Sequence, residues 1–290
     1  DKNSDILGLP LGNSSSTHVL KLQPKTNLNL ILNEHFMLEL ARSVDLEVAK
    51  SHIVEFGSEK GLAVERFDRV VLQDHCDYSI VGAEDACDDS LEEAQRNVLE
   101  VRLPNVQRRH VIDACQALGL GPDEKYERAL GDNRDVKDIR TGVSFADLGE
   151  LCNLSCDDST DRNKVLDWAL FNLLIDNFDA HGKNISFFVD QNGLSVAPFY
   201  DLVCVGVYKN MGKTRAMGFG NNFNEYPLNK EYFFLFCEDL KLDESMAIER
   251  LESLCDRVSK NLEKVLFQIT NSVESLGDSE REFLVFLHKC

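Results

Sequence analysis

A buried helix that runs straight into a polar loop is what most limits how this chain can fold. Within residues 161–177, Val165, Leu166, Ala169, Leu170, Leu173 and Leu174 recur at helical spacing. They form one broad apolar face that only a packed interior can cover. The chain then turns polar at Asp179-Ala180-His181-Gly182-Lys183-Asn184, before an apolar strand over residues 185–189. Asn192-Gly193 is a hairpin signal, and residues 194–197 read as the returning strand, which delivers Tyr200 and Asp201. The order is buried helix, polar loop, hairpin, acidic residue.

Upstream, the spacing predicts a strand over residues 17–22 that carries Lys21. A helix follows over residues 33–44, with Asn33 as N-cap, Glu34 at its start, and Phe36, Met37, Leu40 and Ala41 inward. Strands over residues 53–56 and 62–67 are expected to be joined by a turn from Gly57 to Gly61. Residues 74–93 turn acidic and irregular, which suits an exposed loop or an acidic docking surface. A helix is expected over residues 106–118, stopping at Gly119, and at least two amphipathic helices between residues 229 and 290. The expectation is an α+β chain with a small strand-rich lobe at residues 1–67 and a larger, mostly helical lobe at 68–290.

Composition narrows the function. In 290 residues, 50 acidic side chains outweigh 31 basic ones, for a net charge of −19. Basic clusters such as Arg108-Arg109 are short, so direct nucleic-acid binding is not expected. Nine cysteines contain no CxxC pair and seven histidines show no ligand spacing, which favours reduced structural thiols over a zinc site. No apolar run approaches the ~20 residues of a membrane span, and no secretory leader pattern opens the chain, so a cytoplasmic location is expected. An acidic chain that handles a nucleotide must gather its cations locally and recruit metal ions.

The loop and hairpin have the parts that phosphoryl transfer requires. A loop aspartate takes or orients the proton of the attacking hydroxyl, an asparagine five residues on binds Mg²⁺, and an aspartate beyond a hairpin binds the same metals. Asp179, Asn184 and Asp201 stand in that order. Lys183 lies where a cation can meet the transferred phosphoryl charge. Lys21 on its strand and Glu34 on the next helix supply the lysine–glutamate pair that holds the α- and β-phosphates of ATP. Each piece alone has an ordinary alternative, such as a surface lysine, a helix-start acid or a solvated loop. Their shared order and placement favour a kinase-like chemistry.

Here the sequence resembles a known family, the HipA-like serine/threonine kinases of bacterial toxin–antitoxin systems. Residues 171–186, Phe171-Asn172-Leu173-Leu174-Ile175-Asp176-Asn177-Phe178-Asp179-Ala180-His181-Gly182-Lys183-Asn184-Ile185-Ser186, are close to its catalytic segment. Ala197-Pro198-Phe199-Tyr200-Asp201-Leu202 resembles its metal-binding motif, and Val64-Glu65-Arg66-Phe67-Asp68-Arg69 its interlobe hinge. Cys115-Gln116-Ala117-Leu118-Gly119 with Lys125-Tyr126-Glu127 resembles a further stretch. The resemblance implies a two-lobed protein-kinase-like fold with Asp179 catalytic and Asn184 and Asp201 as Mg²⁺ ligands. It places Lys21 on the ATP phosphates, His181, Lys183 and Tyr200 at the nucleotide, and backbone groups of Glu65 and Phe67 on the adenine.

The resemblance also implies a protein substrate, an aminoacyl-tRNA synthetase in the best-known case, and a DNA-binding antitoxin as partner. Two departures stand out. No good match to the family's Ser-x-x-Gly-x-Gln phosphate loop precedes Lys21, since residues 4–8 fit poorly and residues 12–16 sit too close. The small N-terminal domain of longer members is expected to be absent from this chain. A binding module without catalysis, a small-molecule kinase of related fold and a secreted effector acting on host proteins are the other readings.

Overall fold

A computed structural model describes residues 15–23, 29–56, 59–78, 102–224, 228–273 and 276–288. Its first sheet forms around Lys21. β1 (His18–Leu22) and β2 (Ser51–Phe56) flank β3 (Glu59–Glu65) in the antiparallel order β1-β3-β2, with Lys21 opposite Leu62. The expected turn from Gly57 to Gly61 is too long. Phe56 already faces Glu59, so only Gly57 and Ser58, outside the described residues, join the strands. Gly61 is a strand residue paired with Leu22 and Val54, and glycine suits it because a Cβ there would lie 3.0 Å from Leu20 Cδ1 and 3.1 Å from Lys21 O.

α1 (Leu30–Ser43) starts before the expected position, and Asn33 is not its N-cap. Asn29 holds that place at φ 50° with no side-chain cap. Asn33 lies fully buried inside the helix, donating Nδ2–H to Cys204 O at 2.9 Å and Tyr208 Oη at 3.0 Å. Its Oδ1 accepts from Cys204 N at 2.8 Å. A polar residue ahead of an apolar stripe reads alike whether it caps a helix or anchors a distant segment. Asn33→Ala would remove three buried hydrogen bonds, two to the Cys204 backbone and one to the Tyr208 hydroxyl, and is expected to cost about 1–3 kcal/mol in chemical unfolding.

β4 (Arg69–Tyr78) and β5 (Arg102–Arg108) form an antiparallel hairpin. The acidic stretch expected to be irregular from residue 74 is therefore strand as far as Tyr78, and the rest of it lies outside the described residues. The helix expected over 106–118 is mostly absent as well. Its first part completes β5, Val111–Asp113 form β6, and only Ala114–Leu118 are helical, as α2. Val111 and Ile112 pair with Phe188 and Phe187, so strand pairing overrides the helical spacing. Asp113 caps α2 through a capping box with Gln116, and Gly119 ends it at φ 70° as the sequence suggests.

α3 (Phe145–Cys152) and α4 (Asp158–Leu174) lead to the hairpin of β7 (Ser186–Asp190) and β8 (Gly193–Val196), which β6 extends into a three-stranded sheet. α5 (Lys230–Asp239), α6 (Glu244–Ser272) and α7 (Asp278–Leu287) follow. Trp168, Leu166 and Phe171 of α4, with Phe36 and Leu38 of α1, sit in one continuous core that also takes in α5, α6 and α7. Phe145 stacks edge-on against Phe236 at 4.8 Å within it. Buried Asp161 accepts Val196 N–H at 3.1 Å, and Arg162 donates to Gly149 O and Leu240 O at 2.9 and 3.0 Å. These bonds fix the hairpin and α5 to α4. Cys115, Cys152, Cys156, Cys204, Cys237 and Cys255 are free thiols among the described residues. No described helix is long and apolar enough to cross a membrane.

Candidate active site

β1 supplies Lys21, α1 supplies Glu34, and the turn after β8 supplies Asp201. Lys21 Nζ donates to Glu34 Oε1 and Oε2 at 2.8 and 2.9 Å and to Asp201 Oδ1 at 2.7 Å. Asp201 adopts φ 56°, a left-handed conformation that aspartate tolerates better than most residues. Burial disfavours the Lys21 ammonium, but Glu34 and Asp201 outweigh it and hold Lys21 above the usual lysine value. Burial, with Asp201 adding to it, pushes Glu34 up, while Lys21 pulls it down. The two-pronged contact from Lys21 keeps this pair charged. One cation between two carboxylates leaves one negative charge uncompensated, which is an electrostatic demand for a further cation.

α4 ends at Ile175, and Asp176 at φ 51° reverses the chain toward the loop. The loop is closed on itself. Asp179 O accepts from His181 N at 2.9 Å and from Asn184 Nδ2 at 3.1 Å, and His181 O accepts from Asn184 N at 2.8 Å. Gly182 packs on Val143, where a Cβ would stand 2.4 Å from Cγ2. Fixing Asn184 through its amide nitrogen leaves Oδ1 for another partner. Asp179 Oδ1 accepts the Tyr126 hydroxyl at 2.6 Å. Burial, then the Asp179 carboxylate, push the Tyr126 phenol well above its usual value, so it stays a donor.

Burial lowers the His181 imidazole below the usual histidine value; Asp179 pulls the other way and Lys125 adds to the lowering. Lys125 Nζ lies 2.9 Å from His181 Nε2, and Lys183 N lies 3.3 Å from Nδ1. Lys183 N–H donates to Nδ1, so that nitrogen is an acceptor and carries no proton. Lys183 does not stand free: Asp113, the N-cap of α2, takes its Nζ at 2.7 Å and raises its pKa. Tyr200 Oη donates to Lys183 O at 2.6 Å, and its ring lies 5.7 Å from that of Phe67. Glu65 N–H is used by Lys50 O at 2.7 Å, so a ligand contact from Glu65 falls to its carbonyl.

All the residues singled out from sequence reach one of two adjoining hollows. A cleft of 550 Å³ is lined by Glu65, Phe67, Lys125, His181, Lys183 and Tyr200. A cavity of 820 Å³ holds Asp179 and Tyr126 against apolar side chains such as Ile31, Val205 and Met211. Lys21, Glu34, Asn184 and Asp201 line both. Tyr126, Lys125 and Asp113 were not singled out individually as site residues by sequence. Tyr126 lies 53 positions from Asp179, and no local pattern announces such a contact.

The donors suit Mg²⁺. Asn184 Oδ1 and the Asp201 carboxylate are hard oxygens, and no cage of three or more acidic, histidine or cysteine ligands exists among the described residues. Mg²⁺ in phosphate sites commonly takes one or two carboxylates and leaves the remaining positions to water and phosphate.

Beside the site, burial pushes the Glu127 carboxyl up to about 7, despite Arg140 at 3.2 Å and the Gly218 N–H at 2.8 Å. An acid with a raised folded pKa binds more protons folded than unfolded, so stability falls as pH rises from 4.5 to about 7. The expected loss is about 3 kcal/mol. Urea titrations across that window should find it in the wild type and not in Glu127→Gln.

The HipA-like C-terminal domain family model matches residues 3–262. The serine/threonine-protein kinase toxin HipA of Shewanella oneidensis is 35% identical over 258 residues, covering 89% of this chain and 53% of that protein. Y4mE of Sinorhizobium fredii is 29% identical over 261 residues, covering 90% of this chain and 53% of its own length. The solved complex of Shewanella oneidensis HipA with HipB and operator DNA contains a chain that superposes with a TM-score of 0.79 at 33% identity. That match covers 95% of this chain and 57% of the other. The fold is thus the α+β, two-lobed, protein-kinase-like one. The chain spans about half the length of the curated relatives it matches.

Proposed function

The chain belongs to the HipA-like C-terminal domain family, and from that premise we propose that it transfers the γ-phosphoryl group of ATP to a serine or threonine hydroxyl of a protein. The carrying observation is the shared wall of Lys21, Glu34, Asn184 and Asp201 between two hollows, one with the hinge residues and one with Asp179. In this reading the adenine lies in the cleft, against the Glu65 carbonyl, the backbone of Phe67 and the Phe67 ring, with His181, Lys183 and Tyr200 closing it. Lys21 takes the α- and β-phosphates, and Asn184 and Asp201 hold Mg²⁺. The metal, when bound, neutralises charge that builds on the phosphates. Asp179 receives the acceptor proton on the larger cavity's side, and the Tyr126 hydroxyl orients its carboxylate. Residues 1–67 are the proposed nucleotide lobe and 68–290 the lobe that carries the acceptor site.

The relative's complex with HipB and operator DNA supports a DNA-binding antitoxin as a partner. An aminoacyl-tRNA synthetase is the proposed substrate and the cytoplasm the proposed place of action, with arrest of translation as the outcome. The test is incubation of the chain with γ-labelled ATP, Mg²⁺ and purified synthetases, beside α-labelled ATP. Label on serine or threonine from the γ-position alone is the expected result. Nucleotide binding with no transfer to any protein would contradict it.

A further inference from the structure

We propose that Lys125 and His181 form a two-donor subsite for an oxygen of the γ-phosphoryl group, an inference that rests on the reading of the cleft as the nucleotide site. Four described lysine and arginine side chains line that cleft: Lys21, Arg66, Lys125 and Lys183. Three of them already face a carboxylate. Lys21 meets Glu34 and Asp201, Arg66 meets Asp68 at 2.8 Å, and Lys183 meets Asp113 at 2.7 Å. Lys125 makes no ion pair among the described residues. Its ammonium sits 2.9 Å from His181 Nε2 and 4.8 Å from the centre of the Tyr126 ring.

The imidazole beside Lys125 is a donor too. Lys183 N–H occupies Nδ1, so the ring proton sits on Nε2 and faces the Lys125 ammonium. Two donors 2.9 Å apart give each other nothing to accept, and an anionic oxygen that takes a hydrogen bond from both resolves the contact. A phosphoryl oxygen has the charge and the lone pairs for this. The ring is held for the role: Tyr126 packs edge-on against it with centroids 5.3 Å apart, and His181 N donates to Asp179 O at 2.9 Å.

The chain places this pair beside the reacting centre. Lys125 O accepts Gly182 N–H at 2.9 Å, so residues 125 and 126 run alongside the Asp179–Asn184 loop. Lys125 lies on the cleft side, and Tyr126 lies on the side of the larger cavity with its hydroxyl on Asp179. A γ-phosphoryl group passed from the cleft to a hydroxyl beside Asp179 crosses this boundary. Lys183, the loop's own lysine, is held by Asp113, and Gly182 has no side chain to offer, so Lys125 supplies the positive charge there. In the transfer, the acceptor oxygen bonds to the γ-phosphorus as the bond to the β–γ bridging oxygen breaks. That bond's electron pair leaves with ADP, and the acceptor proton goes to Asp179. Lys125 and His181 Nε2 keep their protons and donate to one equatorial oxygen, where negative charge is spread in the transition state.

The experiment measures, on the full chain with Mg²⁺, the affinities for ADP and for the β,γ-methylene analogue of ATP, alongside transfer from γ-labelled ATP. Lys125→Met is expected to keep the ADP affinity and to lose about 10–100-fold in affinity for the analogue, the usual cost of removing a donor to a charged acceptor. Lys125→Arg is expected to recover part of that loss. Unchanged affinities in Lys125→Met would overturn the inference. Equal losses for ADP and the analogue would overturn it too, because they mark a structural role for Lys125. Either result leaves the kinase reading standing where the wild type labels a protein hydroxyl. A wild type that binds both nucleotides and transfers no label would instead remove the kinase reading, and the two affinities would still decide whether Lys125 meets the third phosphate.

Discussion

Replacing Lys21 with Met is expected to lower phosphoryl transfer by about 10²–10³-fold, the usual loss when one preorganised electrostatic group is removed from a reacting centre. Lys21 is the cation that meets both Glu34, at 2.8 Å, and Asp201, at 2.7 Å. Without it two carboxylates face each other, and the buried one takes a proton because burial already pushes Glu34 upward. Asp201 then loses the contact that sets its Oδ1, and with it the proposed metal loses a fixed ligand. Glu34→Gln is expected to cost less, because Asp201 still holds the ammonium. Steady-state rates over a range of ATP and Mg²⁺ concentrations check both. Equal activity of Lys21→Met and wild type would remove Lys21 from the reaction.

A loss of about 10²–10⁴-fold is expected for Asp179→Asn, the span typical of a general acid or base. That equals about 3–5 kcal/mol of transition-state stabilisation. The change keeps the side-chain shape and an oxygen for the Tyr126 hydroxyl, now 2.6 Å from Oδ1. It removes the carboxylate charge and with it the ability to take a proton. Asp179 lines the larger cavity and not the cleft with the hinge residues, so ATP affinity should be nearly unchanged. The fall should therefore appear equally in kcat and in kcat/KM.

Much of this site was legible because its signals are local. The α4 stripe, the polar loop and the Asn192-Gly193 turn each write themselves into a few adjacent residues, and the hairpin follows at β7 and β8. Lys21 and Glu34 were placed by order along the chain, and the structure brings them together. What failed depends on distant partners. Asn33 looked like a cap until Cys204 and Tyr208 claimed its amide. Residues 106–113 carry helical spacing, yet Phe187 and Phe188 draw Val111 and Ile112 into a sheet. Lys183 read as a free cation, and Asp113, 70 positions away, occupies it. Tyr126 stands in a stretch that resembles the family, yet nothing local in it announces the bond to Asp179, 53 positions away.

Single-turnover transfer from γ-labelled ATP, with nucleotide occupancy read in the same sample, bears most directly on Asp179 as the proton acceptor. Wild type and Asp179→Asn are predicted to bind Mg²⁺ and ATP alike and to differ about 10²–10⁴-fold in the rate at which label reaches a protein hydroxyl. Equal rates at equal occupancy would contradict the assignment of the chemistry to this loop.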